Sequence, residues 1–507
     1  MATITLTRLR GNVFPIHPTG RQSTYFHRCH GCSRKVYNLY VEEGEERDRK
    51  AAEWHAEDPK GRVEEKYPYT WKQNTYHKTL YPYMKEVDSL ALANARQNYF
   101  SARSRYFDGL GGKPNFKSKG DYPHAFTTNN QNFENGKRGT IYVYEDEEHP
   151  GVHWLHLPKM SKMGDVRIDM HRQLSGPIHN VTIKYHADGS WTASILAEEV
   201  VEIETDESPE LSLEKVERFF GGDLGLKCFL TGTDGISYDD PGDYEKLEKR
   251  LKKEQRKLGK KCARLKKQGK DLRKSKNYQK QRRKVAAIRA RIANKRKDFR
   301  HKLSRTLVNN HDVLVFENLN VKGLLKNHCL ARGISEAAWS DFLTLIEYKA
   351  KGEDKVFVKI DRFYASTQTC SCCGAKTGPR GFEGLDVREW TCPECGAEHE
   401  RDENASWNVL FEGIRQLAET EDEAVAAYWE EVLELLRAYH RACANGGESL
   451  PTAGTAGVAW VEVDGNIDDS GMYTERSDRG DPVADGLGEP EVSRKGCQPT
   501  AVPLAVG

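Results

Sequence analysis

The chain has 507 residues, 30% of them charged, a mean hydropathy of -0.76 and a formal net charge of +2. That length exceeds one ordinary hydrophobic core and the composition is that of a soluble, surface-rich protein, so two or more domains are expected and a membrane span is not. The first residues, "MATITLTRLRGNVF", lack the continuous apolar stretch of an export signal, so a reducing cytoplasm is expected, where the twelve cysteines serve as metal ligands or buried thiols more readily than as disulfides.

Residues 1–27 and 111–205 alternate apolar and polar side chains, as in "GTIYVYEDE" and "HNVTIKYHADGSWTASILAEEV", with turn signals at "ENGK" and "ADGS". These two separated segments are expected to build one β-barrel. Residues 28–110 read as helical, with basic and aromatic side chains interleaved in "SLALANARQNYFSARSRYFDG". Cys29 and Cys32 lie there without a second cysteine pair nearby. A metal site would have to borrow histidines such as His27, His30, His55 or His77, and a helix that merely contains two cysteines is the simpler account. An acidic linker at 206–215 follows.

A new domain opens over 216–245 with "RFFGGDLGLKCFLTGTDGISY", a strand, a tight turn and a second strand. Asp223 ends the first strand, and Gly221, Gly222 and Gly225 are read as leaving room for a sugar-phosphate backbone. Residues 246–305 interrupt this domain with 28 Lys/Arg against 4 Asp/Glu, an excess of 24 positive charges that leaves the rest of the chain at -22. Leu251, Leu258, Leu265 and Leu272 recur every seven residues, with Leu247 and Cys262 on the same side, and a second stripe runs through Val285, Ile288, Ile292 and Phe299. The pattern predicts a hairpin of two long helices with an apolar seam and cationic outer faces. Ordinary solvated helices mix charge signs into i,i+4 pairs. This block hardly does, so it is expected to contact nucleic-acid phosphates, whose neutralisation releases counterions and adds sequence-independent affinity.

The interrupted domain resumes over 306–364, where Glu317 follows the apolar strand of "HDVLVFENLN". Residues 365–400 hold two C-x-x-C pairs, Cys370 with Cys373 and Cys392 with Cys395, eighteen residues apart, which is the spacing of a four-thiolate zinc ribbon. Cys372 has the wrong spacing for a ligand. Residues 401–444 are helical and open on Asp402; the stretch from about 411 to 442 and the acidic, disordered-looking tail at 445–507 read as additions.

Taken singly, Asp223, Glu317 and Asp402 fit strand-end and helix-cap acids. Together, three carboxylates from separate elements of one domain are what two hard divalent cations, Mg²⁺ or Mn²⁺, require to hydrolyse a phosphodiester.

The order "GGDLGLK", "FENLNVKGLLKNHCLARGISEAAWSDFLTLIEYKA", "VKIDRFYASTQTCSCCG", "WTCPECGAEHERDENASWNVL" closely resembles TnpB, the transposon-encoded RNA-guided DNA nuclease, and the compact type V CRISPR effectors related to it, over about residues 216–415. The N-terminal half resembles that family more loosely, through "SRKVYNLYVEE", "KPNFKSKG" and "LSGPIHNVTIKYHADGSWTASILAEE". The resemblance implies a multidomain α+β protein. Its RNase H-like (RuvC) α/β nuclease domain would carry the zinc ribbon and helical hairpin as insertions, behind a wedge β-barrel interrupted by a helical recognition lobe. It further implies that Asp223, Glu317 and Asp402 bind two Mg²⁺ ions and that Cys370, Cys373, Cys392 and Cys395 bind one structural zinc. Lys117 and Lys119 of "FKSK" would contact phosphate, as would Arg282, Arg283, Lys284, Arg289 and Arg291 of the hairpin, and Thr128 and Asn129 would lie near the reader of a short motif flanking the target. The implied partners are a guide RNA and target DNA, double- and single-stranded. A guided binder that does not cut and a guide-free RNase H-like enzyme, such as a junction resolvase, are the alternatives; monomer or homodimer, and transposon or CRISPR origin, stay open.

Overall fold

The computed structural model describes residues 2–57, 70–120, 122–131, 139–205, 218–240, 242, 244–362, 364–380 and 383–444. The linker and tail read at 206–215 and 445–507 lie outside the described residues.

Strand β1 (Ala2–His17) pairs antiparallel with β7 (Trp191–Thr205) from Ala2 opposite Thr205 to Pro15 opposite Thr192. The end of β1 also pairs with β5 (Val166–Ile168). The strand of the first segment therefore sits in the middle of the sheet built by the second. With β2 (His124–Asn129), β3 (Tyr142–Glu145), β4 (His153–His156) and β6 (Ile178–Tyr185), the order is β2-β6-β7-β1-β5-β4-β3. No ladder joins the edge strands β2 and β3 among the described residues. Instead the buried Asn130 ties that corner together, its amide donating to the carbonyls of Ile141 (3.0 Å) and Ile178 (2.8 Å) and its Oδ1 accepting from the backbone of Thr140 (2.7 Å) and Ile141 (2.8 Å).

Helix α1 (Gly20–Glu57) starts well before the helical stretch expected from residue 28. The cause is a reciprocal cap: Thr19 N–H donates to Gln22 Oε1 (2.8 Å) and Gln22 N–H to Thr19 Oγ1 (3.4 Å). The Gln22 amide also donates to the carbonyls of Met163, Gly164 and Asp165, pinning the first turn to the sheet. After α2 (Asn74–Leu80), helix α3 (Ser89–Phe107) packs beside α1, and both cover the sheet with one core that includes Phe14, Phe26, Tyr40, Leu92, Tyr99 and Ile195. Cys29 and Cys32 belong to this core, and burial pushes the Cys29 thiol up to about 12. Among the described residues neither joins a group able to hold a metal ion.

The second unit is a five-stranded sheet of β8 (Phe219–Asp223), β9 (Leu230–Gly232), β10 (Ser237–Tyr238), β11 (Val313–Glu317) and β12 (Val356–Ile360), in the order β10-β9-β8-β11-β12. β8, β11 and β12 run parallel, and β9 and β10 are antiparallel additions. Helix α4 (Glu245–Lys267) and helix α5 (Lys276–Asn310) enter between β10 and β11 and pack along each other. After β11 come α6 (Val321–Leu324), α7 (Ala331–Ala337) and α8 (Trp339–Gly352); after β12 come the hairpin β13 (Glu389–Thr391) and β14 (Glu398–Glu400), then α9 (Arg401–Ala418) and α10 (Glu423–Ala444). Side-chain alternation splits the core across the sheet. Phe220, Leu314 and Phe316 pack against α8 and the last turns of α5, whereas Val313 and Val315 pack against α9 and α10.

One expectation needs correction. The helical seam is not purely apolar. Leu251, Leu258, Leu265 and Leu272 are only half-buried, and the buried pair Glu254 and Gln281 crosses the seam at 2.7 Å. Hydrogen bonds from Gln281 and Lys257 hold Glu254 at about 2, so the charge is kept there by partners rather than excluded. The stretch after 411, read as an addition, packs into the fold: Val432, Leu433 and Leu436 of α10 complete the core on the α9 face of the sheet.

Candidate active site and zinc centre

β8 and β11 pair in parallel register with Phe316 opposite Gly222, so Asp223 and Glu317 end neighbouring strands, about 4.8 Å apart by strand spacing. Their faces follow from the glycines. A Cβ on Gly221 would meet Ser406 O at 2.4 Å and Leu410 Cβ at 2.7 Å, both on α9, while a Cβ on Gly222 would meet Phe316 and Leu230 on the other face. Asp223, two residues after Gly221, therefore points to the α9 side. Glu317, two residues after Val315, does the same, and Asp402 lies in the first turn of α9. Gly221 and Gly222 are thus required by helix and strand packing, and Gly225 by a turn in which a Cβ would lie 2.8 Å from Cys228 O. The room expected there for a sugar-phosphate backbone is filled by protein.

All three acids are half-buried. Burial is the main cause that raises the Asp223 carboxyl well above the usual carboxylate range, with the charges of Glu317 and Asp402 next and Arg401 opposing them. Burial also raises Glu317, against a hydrogen bond donated by the Ser366 hydroxyl. Asp402 is held by two guanidinium groups, Arg388 Nη1 on Oδ2 at 2.8 Å and Arg401 Nε on Oδ1 at 3.1 Å. Among the described residues, ligand atoms within 4.8 Å of one another are found in groups of cysteine and histidine, and the three acids are not drawn that close. Their negative charges repel one another, and arginines take up Asp402. The donor set, three carboxylates on the α9 side of the sheet, nonetheless suits hard divalent cations.

Sequence reading missed the side chains that brace this site. Asn408 of α9 donates to the carbonyls of Ser366 (2.8 Å) and Thr369 (2.6 Å), and Asn404, one turn earlier, donates to Thr369 O (2.9 Å) and accepts from Ser371 N–H (2.9 Å). The only signal in the sequence was two asparagines four apart on a helix, which places them on one face without saying what they face.

The sulfur atoms of Cys370, Cys373, Cys392 and Cys395 lie within 4.8 Å of one another. Cys370 is 3.7 Å from Cys395 and Cys373 is 3.7 Å from Cys392, close to the ~3.8 Å separation implied by a tetrahedron of Zn–S bonds of about 2.3 Å. This tetrad could hold one structural zinc ion. Burial opposes a thiolate at Cys392, but hydrogen bonds from Thr377 and the backbone of Cys395 and Glu394 outweigh it and lower the group to about 6. His399 Nε2 is 3.0 Å from Cys370 Sγ, and Cys372 lies outside the tetrad, 3.7 Å from His440.

The expected nucleic-acid contacts fall into three states. Lys117 is anchored on α1, its N–H donating to Asn38 (2.8 Å) and its ammonium lying 4.1 Å from the Tyr37 ring centroid. The exposed Lys119 and Arg283, from different elements, both act on His27, whose pKa is lowered by burial and then by these charges. Arg282 sits 5.6 Å over Tyr122, Lys284 is 3.4 Å from Glu254, and Arg289 and Arg291 are exposed. Thr128 is a correction: alternation along β2 turns it inward, 2% exposed, where its hydroxyl donates to Asp88, the N-cap of α3. Asn129, next along, is exposed and accepts from Asn94 at 3.2 Å. Replacing Arg283, Arg289 and Arg291 with glutamine is expected to reduce the slope of log affinity against log salt by about 0.7 to 0.9 for each phosphate left without its arginine. Filter binding of RNA from 50 to 300 mM salt (roughly the range over which such slopes are read) measures this; an unchanged slope would mean the face is only solvated.

Three family models match the chain: a "Helix-turn-helix domain" over residues 8–49, a "Probable transposase" over 200–328 and a "Cas12f1-like, TNB domain" over 339–409. Within 8–49 the structure has the end of β1 and the single helix α1. A Streptomyces pristinaespiralis protein provisionally named RNA-guided DNA endonuclease is 31% identical over 412 residues, covering 79% of this chain and 88% of the relative. Its Escherichia coli K12 counterpart InsQ, provisionally named in the same way, is 24% identical over 433 residues, covering 82% and 94%. TnpB-like protein L79 of Acanthamoeba polyphaga mimivirus is 30% identical over 217 residues, covering 41% and 40%. Among solved structures, a Cas12f1–sgRNA–target DNA complex aligns with a TM-score of 0.46 at 12% identity, covering 80% of this chain and 98% of that one.

Proposed function

This chain belongs to the TnpB-like family of RNA-guided DNA endonucleases, and from that premise we propose that it binds a guide RNA, recognises a short motif beside the target and cleaves DNA at one RuvC-like site. The observation that carries the reading is that Asp223, Glu317 and Asp402, from three distant stretches of sequence, are brought to the α9 side of one sheet, near enough for the charges of Glu317 and Asp402 to act on Asp223. Two divalent cations bound there would generate a nucleophilic water and stabilise the leaving oxygen of the phosphodiester. The chain's part is positional. β8 and β11 hold two carboxylates side by side, α9 brings the third, and Arg388 and Arg401 balance its charge. The α4–α5 hairpin offers a cationic surface to nucleic-acid backbone, since the acids within it are already committed: Glu245 to Lys249, Glu248 to Arg296, Glu254 to Lys257 and Lys284, Asp271 to the backbone N–H of Arg273 and Asp298 to Lys302. The sheet and helices before residue 206 would hold the guide scaffold and the flanking duplex, while base pairing reads the target. One nuclease site implies that the two strands are cut in sequence.

The test is to purify the full chain from cells carrying its flanking locus and sequence the bound RNA. A defined structured RNA is expected, and reprogramming its guide segment should redirect cleavage to the matching DNA. A protein that purifies without RNA and resolves branched DNA by itself would be the guide-free enzyme instead.

A further inference from the structure

The short segment between β12 and the first zinc knuckle is bolted to α9 more firmly than a linker requires. Asn408 and Asn404 occupy the carbonyls of Ser366 and Thr369 and the N–H of Ser371, and His440 of α10 adds a 2.8 Å contact to the Ser371 hydroxyl. Ser366, Ser371, Asn404 and Asn408 are buried. Such a polar cluster is costly unless fully paired, and a satisfied one holds its members in a single geometry. Its one outward-acting group is the Ser366 hydroxyl, which donates to Glu317 Oε1. Cys370, four residues on, belongs to the cysteine tetrad.

We infer that Ser366 is a positioning residue, through which the cysteine ribbon and α9 fix the orientation of Glu317 toward the cations of the nuclease site; the inference rests on the nuclease reading above. By donating to one oxygen, Ser366 restrains the rotation of the Glu317 carboxylate that the other oxygen shares. Asp402 is carried by the same helix that clamps Ser366, so both acids are referenced to α9. The sheet alone would place the Glu317 backbone but leave its side chain free to turn about its own bonds.

The experiment compares the full-length RNA-bound protein with Ser366→Ala, Ser366→Thr and Glu317→Gln, reading Mn²⁺ affinity by electron paramagnetic resonance, the Mg²⁺ dependence of cleavage, and target binding. Ser366→Ala is expected to weaken Mn²⁺ binding and raise the Mg²⁺ requirement by roughly 10- to 100-fold, the usual cost of losing a partner that orients a metal ligand. Target binding should be unchanged, and Ser366→Thr, which keeps a hydroxyl, should recover most of the loss. Ser366→Ala matching the unaltered protein in both metal readouts would overturn the inference, as would a loss that threonine does not relieve while target binding stays intact. Normal cutting by Glu317→Gln would instead sink the nuclease assignment itself, whatever Ser366 does.

Discussion

Changing Asp223, Glu317 or Asp402 to alanine is expected to lower target cleavage by roughly 10³-fold or more each, since a metal-held site contributes several kcal/mol to the transition state and each 1.36 kcal/mol is about a factor of ten in rate. The three side chains converge from β8, β11 and α9, and the charges of Glu317 and Asp402 add to burial in raising Asp223. Groups that act as one unit are strongly non-additive, so the double and triple variants should be scarcely worse than the single ones. Guide and target binding should survive, because the cationic hairpin is a different surface. Cleavage should require Mg²⁺ or Mn²⁺, with Ca²⁺ supporting binding but little turnover. Gel assays of cleavage and of binding, run on the same preparations, check this. Small additive losses, or cutting that persists in a chelator, would make the non-cutting guided binder the better account.

Breaking the cysteine tetrad is expected to have the next largest effect. Cys392→Ser should remove the bound zinc, read by elemental analysis, and abolish cleavage, because a module this small has no sufficient core of its own and metal binding supplies its folding energy. The route to the site is short. β14 ends at Glu400 and α9 starts at Arg401, so loss of the β13–β14 hairpin releases the start of the helix that carries Asp402; Arg388, which pairs with Asp402, precedes β13 directly. The main thermal transition should move little, since the large clusters around Tyr40 and around Phe316 contain none of the four cysteines. A zinc-free protein that still cuts at the normal rate would remove the claim.

Much of the secondary structure was legible locally. Alternation marked the strands around residues 142, 180 and 195, the 3.6-residue pattern marked α5, and the cysteine spacing singled out the four thiols that the fold draws together. The start of α1 was missed although its signal was present, because Thr19 and Gln22 form a capping box three residues apart and only the structure shows them reciprocally bonded. Gly221 and Gly222 were assigned to an approaching nucleic-acid backbone, whereas α9 and Phe316 already fill that space. Thr128 lies in a polar run that looks exposed until the pairing of β2 with β6 turns it toward Asp88.

What the sequence by itself determined are properties set within a few residues: which stretches are strands or helices, where positive charge accumulates, and which acids stand at element ends. Those follow from side-chain period, backbone preference and metal-ligand spacing. Only the tertiary structure decided which face of the sheet Asp223 and Glu317 occupy, that Arg388 and Arg401 hold Asp402, that Glu254 and Gln281 cross the hairpin seam, and that Ser366 reaches Glu317 from the segment after the neighbouring strand β12. Most of these depend on groups separated in the chain being brought together by strand register and helix packing, where a shift of one residue in register turns a side chain to the opposite face, and no local pattern encodes that register.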